Sequence, residues 1–250
     1  MNLENKQVNP TAIVTGAARR IGAEIARALH QAGFRIVIHC HQSLSEANQL
    51  ATALNVERAD SALAVQFDLS VPEACDSLIE AAIQWTGSLH VLVNNASLFM
   101  RSDLSQPQCN LGESLYALNV FAPWRLSVNA RPWLEKVSGN IINITDIHAE
   151  KPLKGYAEYC QSKAALWMQT KALAREFAPH LRVNAVAPGA IVWPEQENIV
   201  SQSVKNQIMK ETPLNMHGHP QFIADAVLAL IANPFITGQV LRVDGGRSIG

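Results

Sequence analysis

Two side chains that could move a proton stand close together in the second half of the chain. Tyr159 and Lys163 are four residues apart in the segment YCQSK, within a long helical pattern. Residues with this spacing project from the same helix face, so the phenol and the ammonium group would lie side by side. A nearby positive charge favours the phenolate and lowers the pKa of the phenol. A phenol in such a place could exchange a proton with a substrate, but the spacing alone does not assign this role.

A turn near the start of the chain could bind phosphate. The segment TGAARRIG, from Thr15 to Gly22, joins a short β-rich run to a helical pattern. Small residues let the backbone turn tightly and approach a pyrophosphate, whose charge then faces the amino end of the helix. Two glycines are a weak signal alone, but their position on the first strand-to-helix turn predicts a dinucleotide site.

Apolar runs of strand length alternate with amphipathic stretches of helix length. The seven predicted strands cover residues 11–15, 35–39, 62–67, 89–93, 140–144, 182–186 and 239–243. The predicted helices run from about residue 21 to Gly33 and over residues 46–54, 72–85, 157–177 and 221–231. This alternation is typical of a parallel sheet with helices on both faces. We predict one α/β domain over residues 1–250, a Rossmann-type doubly wound parallel sheet of about seven strands.

The least regular segment, residues 189–218, is rich in polar residues and proline. In a doubly wound fold, ligands bind beyond the carboxyl ends of the strands, where this segment would lie. We therefore expect residues 189–218 to form the substrate loop.

The charges exclude several classes of partner. The chain has 250 residues with 20 basic and 21 acidic side chains, and only 16% are charged. This balance excludes a broadly basic protein that binds nucleic acid or a membrane surface. Residues 1–10 are polar with no apolar run typical of a signal peptide, and the four cysteines form no CxxC pair, so we expect a cytoplasmic protein without a metal site. The low charge also raises the hypothesis of an oligomer in which two apolar helix faces, around residues 111–126 and 164–177, are buried between subunits.

The turn and the tyrosine–lysine pair occur in the order typical of one known family. Together with Asn94-Asn95-Ala96 and Asn119 they resemble the short-chain dehydrogenase/reductase family, over nearly the whole chain from Thr11 to the ending Asp244-Gly245-Gly246. A lone YxxxK spacing is common by chance, but the conjunction is specific. Arg20 stands where the middle glycine of the turn is usual, so its side chain would extend over the pyrophosphate or toward the substrate.

The resemblance implies a nicotinamide cofactor. The residues assigned to it are Gly16, Arg19, Arg20, Ile21, Gly22, His41, Gln42, Ser43, Asp68, Leu69, Asn95, Ala96, Ser97, Tyr159, Lys163, Pro188 and Gly189. An NAD enzyme usually carries Asp or Glu at the end of the second strand. This chain has HCHQS there, from His39 to Ser43, which favours NADPH over NADH. Gln42 replaces an arginine frequent in relatives, and this weakens the expected preference.

The resemblance also implies four catalytic residues: Asp146, Tyr159, Lys163 and Asn119. Lys163 would hold the nicotinamide ribose, and Asn119 would either hold a relay water or serve a structural role. The usual serine, 13 residues before the tyrosine, is Asp146 here. A carboxylate raises the proton affinity of Tyr159 and can hydrogen-bond an N–H group, which suits reduction of a ring C=N bond.

The departures at Arg20, residues 39–43, Ser97 with Phe99, and Asp146 together resemble the pteridine reductase branch of the family. The implied substrate-binding residues are Arg20, Ser97, Phe99, Asp146, Tyr159 and Trp193. Phe99 would stack on the flat pterin, whereas Trp193 would either pack on the substrate or anchor its own loop. The prediction is an NADPH-dependent reductase of pterins, dihydropterins or dihydrofolate, assembled as a homotetramer. The alternatives are a short-chain carbonyl reductase and a non-catalytic NADPH sensor.

Overall fold

Seven parallel strands form the centre of the protein in a computed structural model that describes residues 9–102, 104–105, 109–193 and 201–249. The strands are β1 (Thr11–Val14), β2 (Arg35–Cys40), β3 (Ala62–Gln66), β4 (Val91–Asn94), β5 (Asn140–Ile144), β6 (Arg182–Pro188) and β7 (Val240–Val243). Their order in the sheet is β3-β2-β1-β4-β5-β6-β7, and every pairing is parallel. The predicted Rossmann-type fold with about seven strands is confirmed.

Helices cover both faces of this sheet. They are α1 (Arg20–Gln31), α2 (Leu44–Glu57), α3 (Pro72–Thr86), α4 (Cys109–Tyr116), α5 (Ala122–Glu135), α6 (Ala157–Phe177), α7 (Gln202–Lys210) and α8 (Pro220–Ala232). One apolar core joins α1, α2 and α8 to the sheet, and a second joins α3, α5 and α6 to its other face. The central strands are therefore buried on both faces, which explains their nearly continuous apolar sequences.

Successive strands are added to the sheet first on one side of β1 and then on the other. Strands β2 and β3 lie on one side of β1, and β4 to β7 lie on the other. The loops that follow β1 and β4 therefore leave in opposite directions and open a crevice at the carboxyl edge of the sheet. The TGAARRIG turn, the segment after β4 and the end of β5 meet at this crevice.

Two helical regions differ from the predicted elements. Residues 189–218 were expected to be irregular, but they contain α7, while residues 194–200 lie outside the described part of the chain. The nine residues of α7 are mostly polar and too few for the apolar periodicity of a helix to be distinct. The helix face expected around residues 111–126 is part of a longer helical region over residues 109–135, which a π-helical turn at Ala117–Phe121 divides into α4 and α5. This turn and the internal Pro132 disturb the periodicity from which a helix is predicted.

Within the described ranges, none of the helices combines the length and the apolar character that a membrane crossing requires.

Candidate active site

The predicted proton-transfer residues come together at the ends of β5 and α6. Tyr159 and Lys163 lie one turn apart on α6 and are 4% and 2% exposed. Asp146 follows β5 and caps a short 3₁₀ turn at Ile147–Ala149. The Tyr159 hydroxyl donates a hydrogen bond of 2.7 Å to one Asp146 carboxylate oxygen, Oδ2. The other oxygen accepts the His148 backbone N–H at 2.8 Å, so both carboxylate oxygens are held in place.

The electrostatics of Tyr159 differ from the expectation based on Lys163 alone. Burial raises the pKa of the Tyr159 phenol well above its usual value, and the neighbouring Asp146 carboxylate raises it further. The predicted lowering of this pKa is therefore wrong, because burial and the Asp146 carboxylate both act to raise it. The raised proton affinity expected from Asp146 is present. Tyr159 is accordingly a neutral phenol near pH 7.

Lys163 lies behind the tyrosine ring. Its Nζ atom donates to the backbone carbonyl of Ile144 at 3.1 Å and lies 5.9 Å from the centroid of the Tyr159 ring. Burial lowers the pKa of Lys163 to about 8, although the Asp146 charge acts in the opposite direction. Two of the three ammonium hydrogens remain for other acceptors, such as ribose hydroxyls.

Asn119 lies on the π-helical turn and is completely buried. Its Nδ2 group donates to the Leu98 carbonyl at 3.1 Å and to the Ser162 hydroxyl at 3.0 Å. Its Oδ1 atom accepts the Leu98 N–H at 2.9 Å and the Ser97 hydroxyl at 3.1 Å. These bonds tie the segment after β4 to α6, and they favour the structural alternative for Asn119 over a relay water.

The phosphate-binding turn requires its two glycines. Gly16 has a φ of +62°, which L side chains rarely adopt. A Cβ atom at Gly22 would lie 2.3 Å from the Gly16 carbonyl oxygen and 2.5 Å from the Asn95 side-chain nitrogen. The first turn of α1 therefore packs directly on the backbone of the turn. This close packing at a helix amino end fits a pyrophosphate, as the sequence predicted.

The segment after β4 holds the turn from one side. The Asn95 side chain donates to the carbonyls of Thr15 and Gly16 at 2.8 and 3.0 Å. The Thr15 hydroxyl in turn accepts the backbone N–H groups of Asn95 and Ala96, both at 2.9 Å. The role of Thr15 was not predicted, because a strand-ending threonine is ordinary and its partners are 80 residues away. Asn95 and Ala96 thus border the crevice as expected.

Arg20 has the left-handed backbone conformation that favours glycine, which is the residue usual at this position of the turn. Its φ is +56°, and its guanidinium donates to the backbone carbonyls of Trp193 at 3.0 Å and of Val192 at 3.5 Å. The side chain thus extends toward the segment after β6, which was expected to form the substrate loop. The neighbouring Ile21 is half-buried against the core beside α1. Arg20 therefore joins the phosphate-binding turn to the segment after β6.

The residues expected at the cofactor's adenosine lie around the ends of β2 and β3. Arg19 approaches the Glu46 carboxylate at 3.8 Å, and His41 approaches Asp68 at 3.7 Å. Gln42 and Ser43 follow β2 directly and precede α2. The Asp68 carboxylate accepts the N–H and the hydroxyl of Ser70, and these hydrogen bonds lower its pKa.

Leu69, one of the residues expected beside the adenosine of the cofactor, has a buried side chain. Leu69 is 3% exposed and packs in the core beside α3, so only its backbone can face an adenine ring. A leucine directly after a strand has the apolar character of the core, and its position alone does not distinguish the two roles.

An aromatic cluster forms the wall beside Tyr159. The Phe99 ring stacks on Tyr156 with centroids 4.5 Å apart and meets the edge of Tyr159 at 4.8 Å. Ser97, in the same segment, hydrogen-bonds to Asn119. Phe99 thus lies next to Tyr159, the predicted proton donor, which is where its predicted stacking on a substrate would place it. Tyr156 was not predicted as part of this wall. It directly precedes α6 and is three residues before Tyr159, a spacing that places two side chains on the same helix face.

On the opposite side of the crevice, Pro188 ends β6, and the Gly189 N–H donates to the Val243 carbonyl at 3.0 Å. The Trp193 ring stacks on His217 with centroids 4.3 Å apart, and the Lys205 ammonium lies 5.3 Å from it. With its carbonyl bound by Arg20, Trp193 is anchored on two sides. These contacts favour the loop-anchoring alternative for this tryptophan.

Sequence comparisons agree with this geometry. A family model described as enoyl-(acyl carrier protein) reductase matches residues 16–248. Among curated relatives, the chain is 34% identical to the granaticin polyketide synthase putative ketoacyl reductase 2 of Streptomyces violaceoruber, with 96% of both chains covered. It is 33% identical to pteridine reductase 1 of Leishmania tarentolae, again over 96% of both chains.

A third relative has another type of name. The 3beta-hydroxysteroid dehydrogenase 1 of Eggerthella lenta is 32% identical over 96% of this chain and 94% of its own length. The names therefore share reduction or dehydrogenation chemistry and differ in substrate. With the fold, the phosphate-binding turn and the Tyr159–Lys163 pair, these matches show that the chain is a member of the short-chain dehydrogenase/reductase family, an oxidoreductase family that uses nicotinamide cofactors.

Proposed function

We propose that this protein is an NADPH-dependent pteridine reductase that reduces pterins or dihydropterins, including dihydrofolate, to the tetrahydro level. The observation that carries the proposal is the 2.7 Å hydrogen bond from the Tyr159 hydroxyl to Asp146. A carboxylate at this position can accept an N–H of a nitrogen heterocycle, which a ketone substrate does not offer. The 33% identity to a pteridine reductase over 96% of the chain supports the same substrate class.

In the proposed reaction, a pterin C=N bond is reduced: its carbon gains a hydride and its nitrogen gains a proton. NADPH, when bound, supplies the hydride. Tyr159 donates the proton, since its raised pKa keeps the phenol protonated at neutral pH. Asp146 orients the phenolic O–H, and the His148 N–H keeps the carboxylate from rotating. Lys163 offsets the negative charge that develops on Tyr159 when the proton leaves.

The proposed substrate pocket has one aromatic and one basic wall. Phe99, stacked on Tyr156, would support the flat pterin ring, and Ser97 and Arg20 would hydrogen-bond its polar edge. In this assignment Arg20 exchanges its bonds to the Val192 and Trp193 carbonyls for the ligand. Arg19, His41, Gln42 and Ser43 would receive the 2′-phosphate of NADPH. Because Glu46 and Asp68 lie beside Arg19 and His41, we expect a modest preference over NADH.

The test is the rate of NADPH oxidation with dihydrobiopterin, dihydromonapterin and dihydrofolate, compared between wild type and Asp146→Ser. We expect the substitution to reduce pterin turnover at least about 100-fold, the scale of a positioned proton transfer, with NADP⁺ affinity changed less than about threefold. Asp146→Asn, which keeps the size of the side chain, is the matched control for loss of charge. Absence of turnover with every pterin, or equal turnover in Asp146→Ser, would contradict the proposal.

A carbonyl reductase is the second candidate, favoured by the 34% identity to a putative ketoacyl reductase. A panel of small ketones and β-ketoacyl thioesters distinguishes it from the first. Under the pterin proposal these ketones react slowly in wild type. A wild-type preference for ketones would identify the second candidate instead.

We also propose a cytoplasmic homotetramer whose partner is a small pterin, without a nucleic acid or membrane partner. The described cysteines Cys40, Cys75 and Cys160 are buried free thiols, as is common in a reducing compartment. The helix faces expected to be covered in an oligomer expose Phe121 (56%), Trp124 (47%) and Met168 (63%). A monomeric mass in solution would contradict the assembly.

A further inference from the structure

His39, near the end of β2, occupies an unusual position between two parts of the proposed cofactor site. It is 2% exposed and lies on the strand between β1 and β3. Its Nδ1 atom is 3.1 Å from the backbone nitrogen of Gly16, the first glycine of the phosphate-binding turn. Its Nε2 atom is 3.1 Å from the carbonyl oxygen of Phe67, which directly precedes Asp68. One imidazole therefore connects the turn to the segment expected at the adenine.

The two partners determine which ring nitrogen carries the hydrogen. A backbone N–H can only donate and a carbonyl can only accept, so Nδ1 is the acceptor and Nε2–H the donor. Only the neutral ring makes both bonds. Burial lowers the pKa of His39 to about 4, which keeps the ring neutral at physiological pH.

Gly16 is consequently held from both neighbouring strands. Its N–H binds His39 from β2, and its carbonyl accepts the Asn95 side chain at 3.0 Å from the segment after β4. The next residue repeats the connection, because the Ala17 N–H donates to the His39 carbonyl at 2.8 Å. The left-handed Gly16 backbone is thus fixed by bonds at its N–H and its carbonyl.

We propose that His39 is a positioning residue for the nicotinamide cofactor, which fixes the phosphate-binding turn through its Nδ1 bond to Gly16. The inference rests on the cofactor part of the proposed function and does not depend on the pterin substrate. Backbone groups of Gly16 and Phe67 bind both ring nitrogens of His39, so we expect it to act through the turn. Its substitution should weaken binding of the cofactor and leave the proton-transfer residues around Tyr159 in place.

Two substitutions separate the two hydrogen bonds. The oxygen of an asparagine side chain lies as far from the backbone as Nδ1, whereas the amide nitrogen of a glutamine reaches as far as Nε2. His39→Asn therefore retains the bond to Gly16, and His39→Gln retains the bond to Phe67. His39→Leu removes both.

The measurement is the Kd of NADP⁺ for each purified apoprotein by isothermal titration calorimetry, together with thermal unfolding of the same samples. We expect His39→Gln and His39→Leu to bind NADP⁺ about 10-fold more weakly than wild type, the effect of leaving a buried N–H without a partner. His39→Asn should remain within about threefold. In all variants that fold, the kcat at saturating NADPH should change less than the KM for NADPH.

A matched control lies at the other end of β1. His90 accepts the Thr11 backbone N–H on its Nδ1 atom at 3.1 Å, which is the same type of bond to the same strand, away from the turn. His90→Leu should lower the unfolding temperature without weakening NADP⁺ binding.

The possible outcomes are distinct. If His39→Leu does not fold, the Asn and Gln variants still decide the question. Tight binding by His39→Gln with weak binding by His39→Asn, or unchanged binding in both, would overturn the proposed role of the Gly16 bond. If wild type binds neither NADP⁺ nor NAD⁺, the proposed cofactor itself is wrong, which is a separate failure.

Discussion

The phosphate-binding turn and the Tyr159–Lys163 helix lie at the same edge of the sheet but are held by different interactions. The turn is fixed by neutral hydrogen bonds from Thr15, Asn95 and His39 and by close backbone packing at Gly22. The catalytic end instead buries a lysine and a tyrosine beside a carboxylate. Neutral bonds keep a shape over a wide pH range, whereas buried charges make reactivity depend on pH. Cofactor binding and chemistry should therefore respond separately to substitution.

The largest effect tests this separation at the catalytic end. Tyr159→Phe removes the proton donor but keeps the ring that packs on Phe99, so kcat for pterin reduction should fall about 1000-fold. Although the Tyr159 hydroxyl is also assigned to the cofactor, the phosphate-binding turn stays intact, so the NADP⁺ Kd should rise less than about 10-fold. Tyr116→Phe, on α4, is the control and should leave kcat unchanged. A parallel loss of NADP⁺ affinity in Tyr159→Phe would mean that the two ends are not independent.

The next effect tests the separation at the turn. Gly22→Ala places a methyl group 2.3 Å from the Gly16 carbonyl oxygen, so the backbone must shift. At a cost of about 2 kcal/mol, NADP⁺ binding should weaken about 30-fold, with kcat at saturation little changed. Gly112→Ala meets only the flexible Glu158 side chain and serves as the control. Calorimetric titration measures both; a selective fall in kcat would contradict the comparison.

A smaller effect concerns pH. Lys163 has a pKa lowered to about 8, so its charge is present below that pH and is lost as the pH rises through it. The kcat should therefore fall about 10-fold between about pH 7 and pH 9, because one pH unit beyond the pKa removes most of the charge that offsets the developing charge on Tyr159. Because Asp146 raises the pKa of Lys163, Asp146→Asn should move this alkaline limb to lower pH. A limb that stays in place would show that Asp146 does not influence the lysine.

The smallest effect sharpens the description of the turn. Arg20→Gly and Arg20→Ala both remove the bonds to the Val192 and Trp193 carbonyls, but only glycine relieves the φ of +56°. The glycine variant should be more stable than the alanine variant by about 1 kcal/mol, or about 3 °C in Tm for a chain of this size. Thermal unfolding of the two apoproteins measures the difference. Equal Tm values would mean that the backbone at residue 20 relaxes without cost.

Local patterns account for the features that were predicted correctly. The strand and helix alternation specifies the sheet, and a spacing of four residues is enough to place Tyr159 beside Lys163. The contribution of Asp146 to the raised pKa of Tyr159 was predicted from the residue type, but the larger contribution of burial was not, because it depends on parts of the chain far apart in sequence. Likewise, the hydrogen bonds of His39 to Gly16 and Phe67 span 23 and 28 residues. The helix α7 was missed because its nine residues are too few for helical periodicity to be distinct.

Because of the π-helical turn at Ala117–Phe121, the number of residues between α4 and α5 cannot change without altering the packing of these helices. A π turn is an α-helix with one surplus residue, and each residue of an α-helix rotates the chain by about 100°. Removing Val120 would let α4 and α5 merge into a regular helix and would rotate α4 against the rest of the fold. Leu115, now buried against Tyr156 and Tyr159, would then face another direction, and Asn119 would leave Leu98 and Ser162. Insertions and deletions in this stretch therefore carry a penalty that substitutions of similar size do not.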